Sequence, residues 1–206
     1  MPPSPRFWDK VAERYAQSPI KDEESYQRKL RETRAHFTPE MELLEFGCGT
    51  GSTALLHAPY VKQIRATDIS AKMLEIARGK AAEQGIENVR FEVSAFEDFE
   101  APDGSFDMVL GLNILHLLED KEAAVAKVHR LLKPGGLFVS STVCLTGLFR
   151  ILQLVAPLGR LLGKMPLVRF FTAQEMLDSL TAGGFAIETR WQHAGGRSLF
   201  VIARKA

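Results

Sequence analysis

Apolar and polar positions change their period several times along this chain of 206 residues. Between residues 6 and 17, Phe7, Trp8, Val11 and Tyr15 recur at helical spacing, which predicts an amphipathic helix. Residues 22–36 keep a helical pattern but are highly charged, with few apolar anchors. A second helix is predicted there, on the surface or over a cleft, ending at Thr38-Pro39. Short apolar runs then alternate with helical stretches. Glu42 to Phe46 predicts a strand, and Ser52 to His57 the start of a helix. Gln63 to Thr67 predicts a second strand closing at Asp68. Ser70 caps a predicted helix through Gln84, with Met73, Leu74, Ile76 and Ala77 inward and Gly85 as its stop. Strands are predicted over Asn88 to Val93 and Ser105 to Gly111, the latter after the turn Pro102-Asp103-Gly104. A helix over Glu119 to Leu132, closed by Pro134-Gly135-Gly136, leads to a fifth strand, Leu137 to Val143.

Strand and helix alternating in this way predict right-handed crossovers and a parallel sheet. The tail breaks the rule. A helix over Thr172 to Ala182 is followed by two extended runs, Phe185 to Trp191 and Ser198 to Ala203, joined through Gly195-Gly196. Runs so closely joined predict an antiparallel hairpin at the sheet edge. The expected fold is α/β, a Rossmann-like three-layer sandwich whose seven-stranded sheet is mostly parallel and ends in an antiparallel hairpin. Residues 1–206 read as a single domain, with 1–38 as an N-terminal helical lid. Leu145 to Phe171 is rich in leucine and phenylalanine, and its charges are all basic: Arg150, Arg160, Lys164 and Arg169. It follows the fifth strand, above the carboxyl ends where open α/β sheets bind ligands, so 145–171 is expected to form a helical cap over an acceptor cleft. A core helix or a dimer face is the competing reading, leaving a monomer or a homodimer open.

Composition narrows the partners. Hydrophobic residues make up 46% and charged residues 25%, a mix that suits a core needing no metal or disulfide. A net charge of +1 gives no field for nucleic acid or an anionic membrane. The start, Met1-Pro-Pro-Ser-Pro-Arg-Phe-Trp, lacks a signal-peptide pattern, and every apolar stretch is interrupted, so a cytoplasmic protein without membrane insertion is expected. Cys48 and Cys144 belong to no metal-ligand spacing, so free thiols and no metal are expected.

The chemistry concentrates in Leu43-Leu-Glu-Phe-Gly47-Cys-Gly49-Thr-Gly51, between a buried strand and a helix. Missing Cβ atoms let a ligand approach the backbone there, and Asp68, closing the next strand, can accept hydrogen bonds from two ribose hydroxyls. A dinucleotide fingerprint would need a glycine at position 52, which is Ser52. Glu45 just before the loop suits a ligand carrying ammonium and sulfonium centres, which favours S-adenosylmethionine over NAD or NADP.

These residues, with Ala66-Thr-Asp-Ile-Ser70, Pro102-Asp-Gly-Ser-Phe-Asp107 and Leu131-Leu-Lys-Pro-Gly-Gly136, resemble successive motifs of the class I S-adenosylmethionine-dependent methyltransferases. The resemblance covers residues 41–143 most clearly and is greatest to the branch acting on quinones, sterols and other small acceptors. It implies methyl transfer from S-adenosylmethionine, leaving S-adenosylhomocysteine, to a small apolar or amphipathic acceptor. An NAD(P)-dependent oxidoreductase or a non-catalytic cofactor-binding module of the same fold are the alternatives. The resemblance assigns Gly47, Gly49 and Gly51 to the cofactor's methionine and ribose portions, Asp68 to the ribose, and Ile69 with Met73 to the adenine face; Glu45 and Cys48 are expected in the cofactor site beside the glycines. Relatives often carry an aspartate after the third strand; here Ser94 stands in its place, followed by Ala95 and Phe96, with Glu97 or Asp98 as an alternative. Asn113, in the loop after the fourth strand, matches a polar residue near the amino acid end. Any general base is expected to be His116, whose competing reading is a backbone-bonded residue among leucines, and Tyr15 is expected either to close over the cofactor or simply to pack.

Overall fold

The computed structural model describes residues 5–144, 168–192 and 198–206. Seven strands form one sheet: β1 (Glu42–Phe46), β2 (Gln63–Asp68), β3 (Val89–Val93), β4 (Phe106–Leu112), β5 (Leu132–Val143), β6 (Phe185–Gln192) and β7 (Ser198–Lys205). Their order is β3-β2-β1-β4-β5-β7-β6. The first five pair in parallel, β7 runs antiparallel between β5 and β6, and β6 forms the edge. The Rossmann-like order and the antiparallel pair agree with the sequence pattern.

The helices are α1 (Pro5–Gln17), α2 (Glu23–Arg34), α3 (Ser52–His57), α4 (Ala71–Glu83), α5 (Lys121–Leu131) and α6 (Ala173–Ala182). Four of them start where a side chain satisfies free backbone donors. Asp22 caps α2, Ser70 caps α4 and Asp120 caps α5, while Thr172 and Glu175 make a reciprocal capping box on α6.

Strand alternation divides the core between the two faces of the sheet. Leu44, Phe46, Val109 and Phe138 pack with Val128, Met176 and Leu180 of α5 and α6. Leu43, Ile64, Leu110, Val139 and Phe200 pack with Ala54, Leu55, Leu74 and Ala77 of α3 and α4. Alternation puts Glu45 on the Leu43 face and Ser141 on the Val139 face, so both look toward the side carrying α2 and α3.

One boundary departs from the pattern. The helix ends at Leu131 as expected, but β5 begins at Leu132, five residues before its predicted start. The ladder with β4 shifts register, pairing Phe106 with Leu132 and then Met108 with Leu137, so Pro134-Gly135-Gly136 lies in a bulge. This end of the sheet also absorbs two of the recurrent motifs. Asp107 accepts from the Glu42 N–H and from Lys133 Nζ, each at 2.8 Å, and Arg130 pairs with Asp103 at 2.6 Å. Those residues brace the amino ends of the strands, away from the glycine loop.

The 145–171 cap, apart from Val168 to Phe171, and the Gly195-Gly196 linker lie outside the described residues. Among the described residues no helix is long and apolar enough to cross a membrane, and no cluster of side chains could hold a metal ion.

Candidate functional site

The loop from Gly47 to Gly51 connects β1 to α3 at the carboxyl edge of the sheet. Its glycines have different reasons to be there. A Cβ on Gly47 would stand 2.6 Å from Ile114 Cγ1, and one on Gly51 would stand 2.8 Å from the Ala77 Cβ. Those two are demanded by packing. At Gly49 a Cβ would meet only the edge of Tyr15, at 3.8 Å, with φ at +55°. Gly49 is therefore where backbone is open to a ligand. Cys48 is buried, its thiol pushed well up by desolvation, and its N–H donates to Thr67 O at 2.9 Å; it braces the loop and leaves no thiolate to react.

Asp68 ties this loop to the start of α4. One carboxylate oxygen accepts from the Gly49 N–H and the other from the Ser70 N–H, both at 2.9 Å. Each oxygen of an ionised carboxylate has room for a second donor, so two ribose hydroxyls can still be accommodated. Burial raises its pKa, while those backbone bonds hold it down.

Glu45 is 3% exposed, and its Oε2 has no hydrogen-bond partner. Desolvation lifts its pKa to about 8, so near neutrality the free protein holds it mostly protonated. Two tyrosines share its neighbourhood. Tyr15 of α1 lies over Gly49, and the charges of Asp68 and Glu45 add to burial in raising its hydroxyl pKa. Tyr26 of α2 has its hydroxyl 3.3 Å from Thr53 Oγ1 and also feels Glu45. The N-terminal helices thus bring a hydroxyl each toward one buried carboxyl.

Ser94 follows β3 beside Asp68, its N–H donating to Asp68 O at 3.0 Å. Its hydroxyl donates to Ala95 O at 2.9 Å, which leaves oxygen lone pairs able to accept. Ala95 and Ile69 are partly exposed alongside. Two residues differ from their expected roles. Phe96 stacks on Phe46 with ring centroids 4.0 Å apart, so its ring serves the core and only its backbone could reach a ligand. Met73 is 2% exposed under the first turn of α4, behind the site rather than on its surface.

Asn113 is the one residue other than glycine with positive φ among the described residues, at 58°, and its N–H donates to Ser141 O at 2.6 Å. Asparagine tolerates this conformation better than most, and strained backbone is common where a ligand is gripped. His116 is set apart. Its Nδ1 is 3.4 Å from Thr142 Oγ1, which alternation places on the α5 side of the sheet, opposite Glu45 and Ser141. Its carbonyl accepts from the Arg169 N–H at 2.7 Å, and burial lowers its imidazole to about 4. It is a neutral, weak base.

Sequence reasoning missed Asp9, Tyr26, Lys29, Lys80 and Ser141. Asp9 Oδ1 accepts from Ser70 Oγ at 2.6 Å and from the Lys72 N–H at 3.2 Å, docking α1 on the start of α4. Lys80 Nζ donates to Thr50 Oγ1 at 3.1 Å and Ser52 Oγ at 3.0 Å, holding the glycine loop from behind. Lys29 Nζ donates to Ser141 Oγ at 2.8 Å. Tyr26, Leu30 and Thr33 at helical spacing were the available signal, masked by the surrounding charge.

The arrangement fits S-adenosylmethionine. Glu45 Oε2 is buried with no hydrogen-bond partner, Gly49 is open, and Asp68 has spare lone pairs for a ribose. Known proteins agree. Residues 43–136 match a family described as a methyltransferase domain. An uncharacterised methyltransferase of Bacillus subtilis, YcgJ, is 39% identical over 100 residues, covering 48% of this chain and 40% of that protein. Its crystal structure superimposes with a TM-score of 0.72 at 23% identity, covering 87% of this chain and 98% of that one. Demethylmenaquinone methyltransferase of Symbiobacterium thermophilum is 29% identical over 153 residues, covering 67% of this chain and 61% of that protein. Geranyl diphosphate C-methyltransferase of Streptomyces coelicolor, solved with S-adenosylhomocysteine, has a TM-score of 0.71 at 16% identity, covering 89% of this chain and 79% of that one. In sequence the chain spans less than half the length of the first curated relatives it matches, 40% and 34%.

Proposed function

We propose that the chain, whose residues 43–136 match a methyltransferase domain, transfers a methyl group from S-adenosylmethionine to a small apolar or amphipathic acceptor. When bound, S-adenosylmethionine supplies a methyl on a sulfonium centre, which a nucleophile can displace in line. The chain's own residues bind and orient. Asp68 holds the ribose hydroxyls, Ser94 and Ala95 take the adenine edge, with Ile69 against its face, and Gly49 lets the backbone close on the ligand. Glu45 offsets the positive charge of the methionine end. Tyr15 and the 1–38 helices cover the cleft and exclude water, which favours charge-neutralising methyl transfer in a poorly solvated site. His116, neutral and turned to the other face, is given no role as a base. The acceptor class rests on relatives named for demethylmenaquinone and geranyl diphosphate, and on the apolar run from Leu145.

The observation that carries this reading is the buried Glu45 carboxyl, its Oε2 without a hydrogen-bond partner, just ahead of a glycine loop whose open Gly49 backbone is tied to Asp68. Incubation with methyl-labelled S-adenosylmethionine and a panel of quinols, prenyl compounds and fatty acids tests it, with mass spectrometry of the products. Label transferred to at least one apolar acceptor is expected, and lost in Asp68→Ala. Binding of S-adenosylmethionine with no transfer to any acceptor would favour a non-catalytic module.

A further inference from the structure

Helix α2 turns a polar residue toward the sheet one turn beyond Tyr26. The stem of Lys29 is half-buried, and its ammonium reaches Ser141 at 2.8 Å. Ser141 is fully buried on β5; its hydroxyl also lies 3.3 Å from Ser198 Oγ, and its carbonyl takes the Asn113 N–H. Lys29 therefore sits over the carboxyl ends of β4 and β5, with Asn113 between it and the glycine loop. Open α/β sheets bind their ligands at those carboxyl ends.

No carboxylate of the described residues forms an ion pair with the Lys29 ammonium, although Arg28 on the same helix pairs with Glu32 at 2.7 Å. Desolvation lowers the Lys29 pKa, and Asp22 opposes this only through space. A lysine losing water without gaining a carboxylate is unfavourable in the free protein. It has three donors and Ser141 takes one, so two remain for a ligand. Lys80, also without a carboxylate, differs in having several acceptors around it, from Thr50 and Ser52.

We propose that Lys29, steadied by Ser141, forms a subsite for an anionic group, carboxylate or phosphate, on the methyl acceptor. The proposal deepens the function given above and rests on it. An anion here would complete the ammonium's hydrogen bonds and fix the orientation of an amphipathic acceptor, whose apolar part would extend away from α2. Lys29 is a specificity residue in this account, not a proton acceptor.

The test uses one apolar skeleton with three headgroups: decanoate, decyl phosphate and decanol. Each is titrated calorimetrically into the wild-type protein, Lys29→Met and Lys29→Arg, with and without S-adenosylhomocysteine. The runs without it keep the Lys29 result readable even if the protein ignores S-adenosylhomocysteine, an outcome that would count against the proposed function alone. At least one charged amphiphile is expected to bind about tenfold or more tightly than decanol. Lys29→Met should erase the preference and leave S-adenosylhomocysteine affinity intact, whereas Lys29→Arg should keep most of it. Decanoate against decyl phosphate then tells which anion the subsite takes. Equal binding of charged and neutral amphiphiles, no binding of any of the three, or a preference surviving in Lys29→Met would overturn the proposal.

Discussion

Glu45 shows how one residue can couple binding to pH. The unfolded chain ionises this carboxyl near 4.5, and burial moves it to about 8 in the folded protein. Between those values the folded state holds a proton that the unfolded state has released, so this group's contribution to stability falls as pH rises and levels off above about 8. Urea melts of the ligand-free protein should show that slope, and Glu45→Gln should remove it. A ligand bringing positive charge to Glu45 favours the ionised form, so S-adenosylmethionine should bind with release of a proton near pH 7. Calorimetry in buffers of different ionisation enthalpy measures that release; none is expected in Glu45→Gln. Asp68→Ala should weaken S-adenosylhomocysteine on the order of 2–4 kcal/mol, because a charge-assisted pair of bonds is lost. It should also lower thermal stability by freeing the Gly49 and Ser70 N–H groups, and an unchanged dissociation constant would remove Asp68 from the site. The gathering of Glu45, Gly49 and Asp68 at one edge of the sheet was legible because loop and acid sit at fixed offsets from two strands. The Phe96 ring was not, since nothing in its local spacing reveals that it turns under the sheet to stack on Phe46.

At the scale of elements, α1 is held partly through Asp9, which shares the capping of α4 with Ser70. Asp9→Ala removes acceptors from the Ser70 hydroxyl and the Lys72 N–H, at a cost of about 1–2 kcal/mol in docking α1. Faster amide exchange over residues 5–17 is expected, with weaker S-adenosylhomocysteine binding and a nearly unchanged global melt. Exchange rates identical to wild type would show that α1 is held by its apolar face alone. Helix α2 explains why elements are easier to read than their roles. Its charge pointed to a helix on the surface or over a cleft without showing which residues turn inward; Tyr26, Leu30 and Thr33 do so, and Lys29 reaches β5. The bulge that starts β5 at Leu132 was hidden for a similar reason. Proline and two glycines are the residues of a helix stop, and a ladder that absorbs them is visible only once β4 lies alongside.

For the whole molecule, alternation of strand and helix was enough to set the sheet's parallel part, because each crossover has one favoured hand, while the short join between the last two extended runs set the closing hairpin. The order β3-β2-β1-β4-β5-β7-β6 brings the carboxyl ends of β1, β2 and β4 together, and with them Glu45, Asp68 and Asn113. The four motifs are split by that same geometry: two form the glycine loop and the Asp68 turn at the carboxyl edge, and the pair around Asp107 and Lys133 braces the opposite end. Lys133→Ala should therefore lower the melting temperature while leaving ligand affinity alone, a contrast with Asp68→Ala that melts and titrations on the two variants would reveal. The central claim is that this sheet edge takes an adenosyl sulfonium ligand and no dinucleotide. Isothermal titration of the wild-type protein with S-adenosylhomocysteine and, separately, NADH tests it most directly. One S-adenosylhomocysteine per chain with no heat from NADH is the predicted result; NADH binding, or silence from S-adenosylhomocysteine, would contradict it.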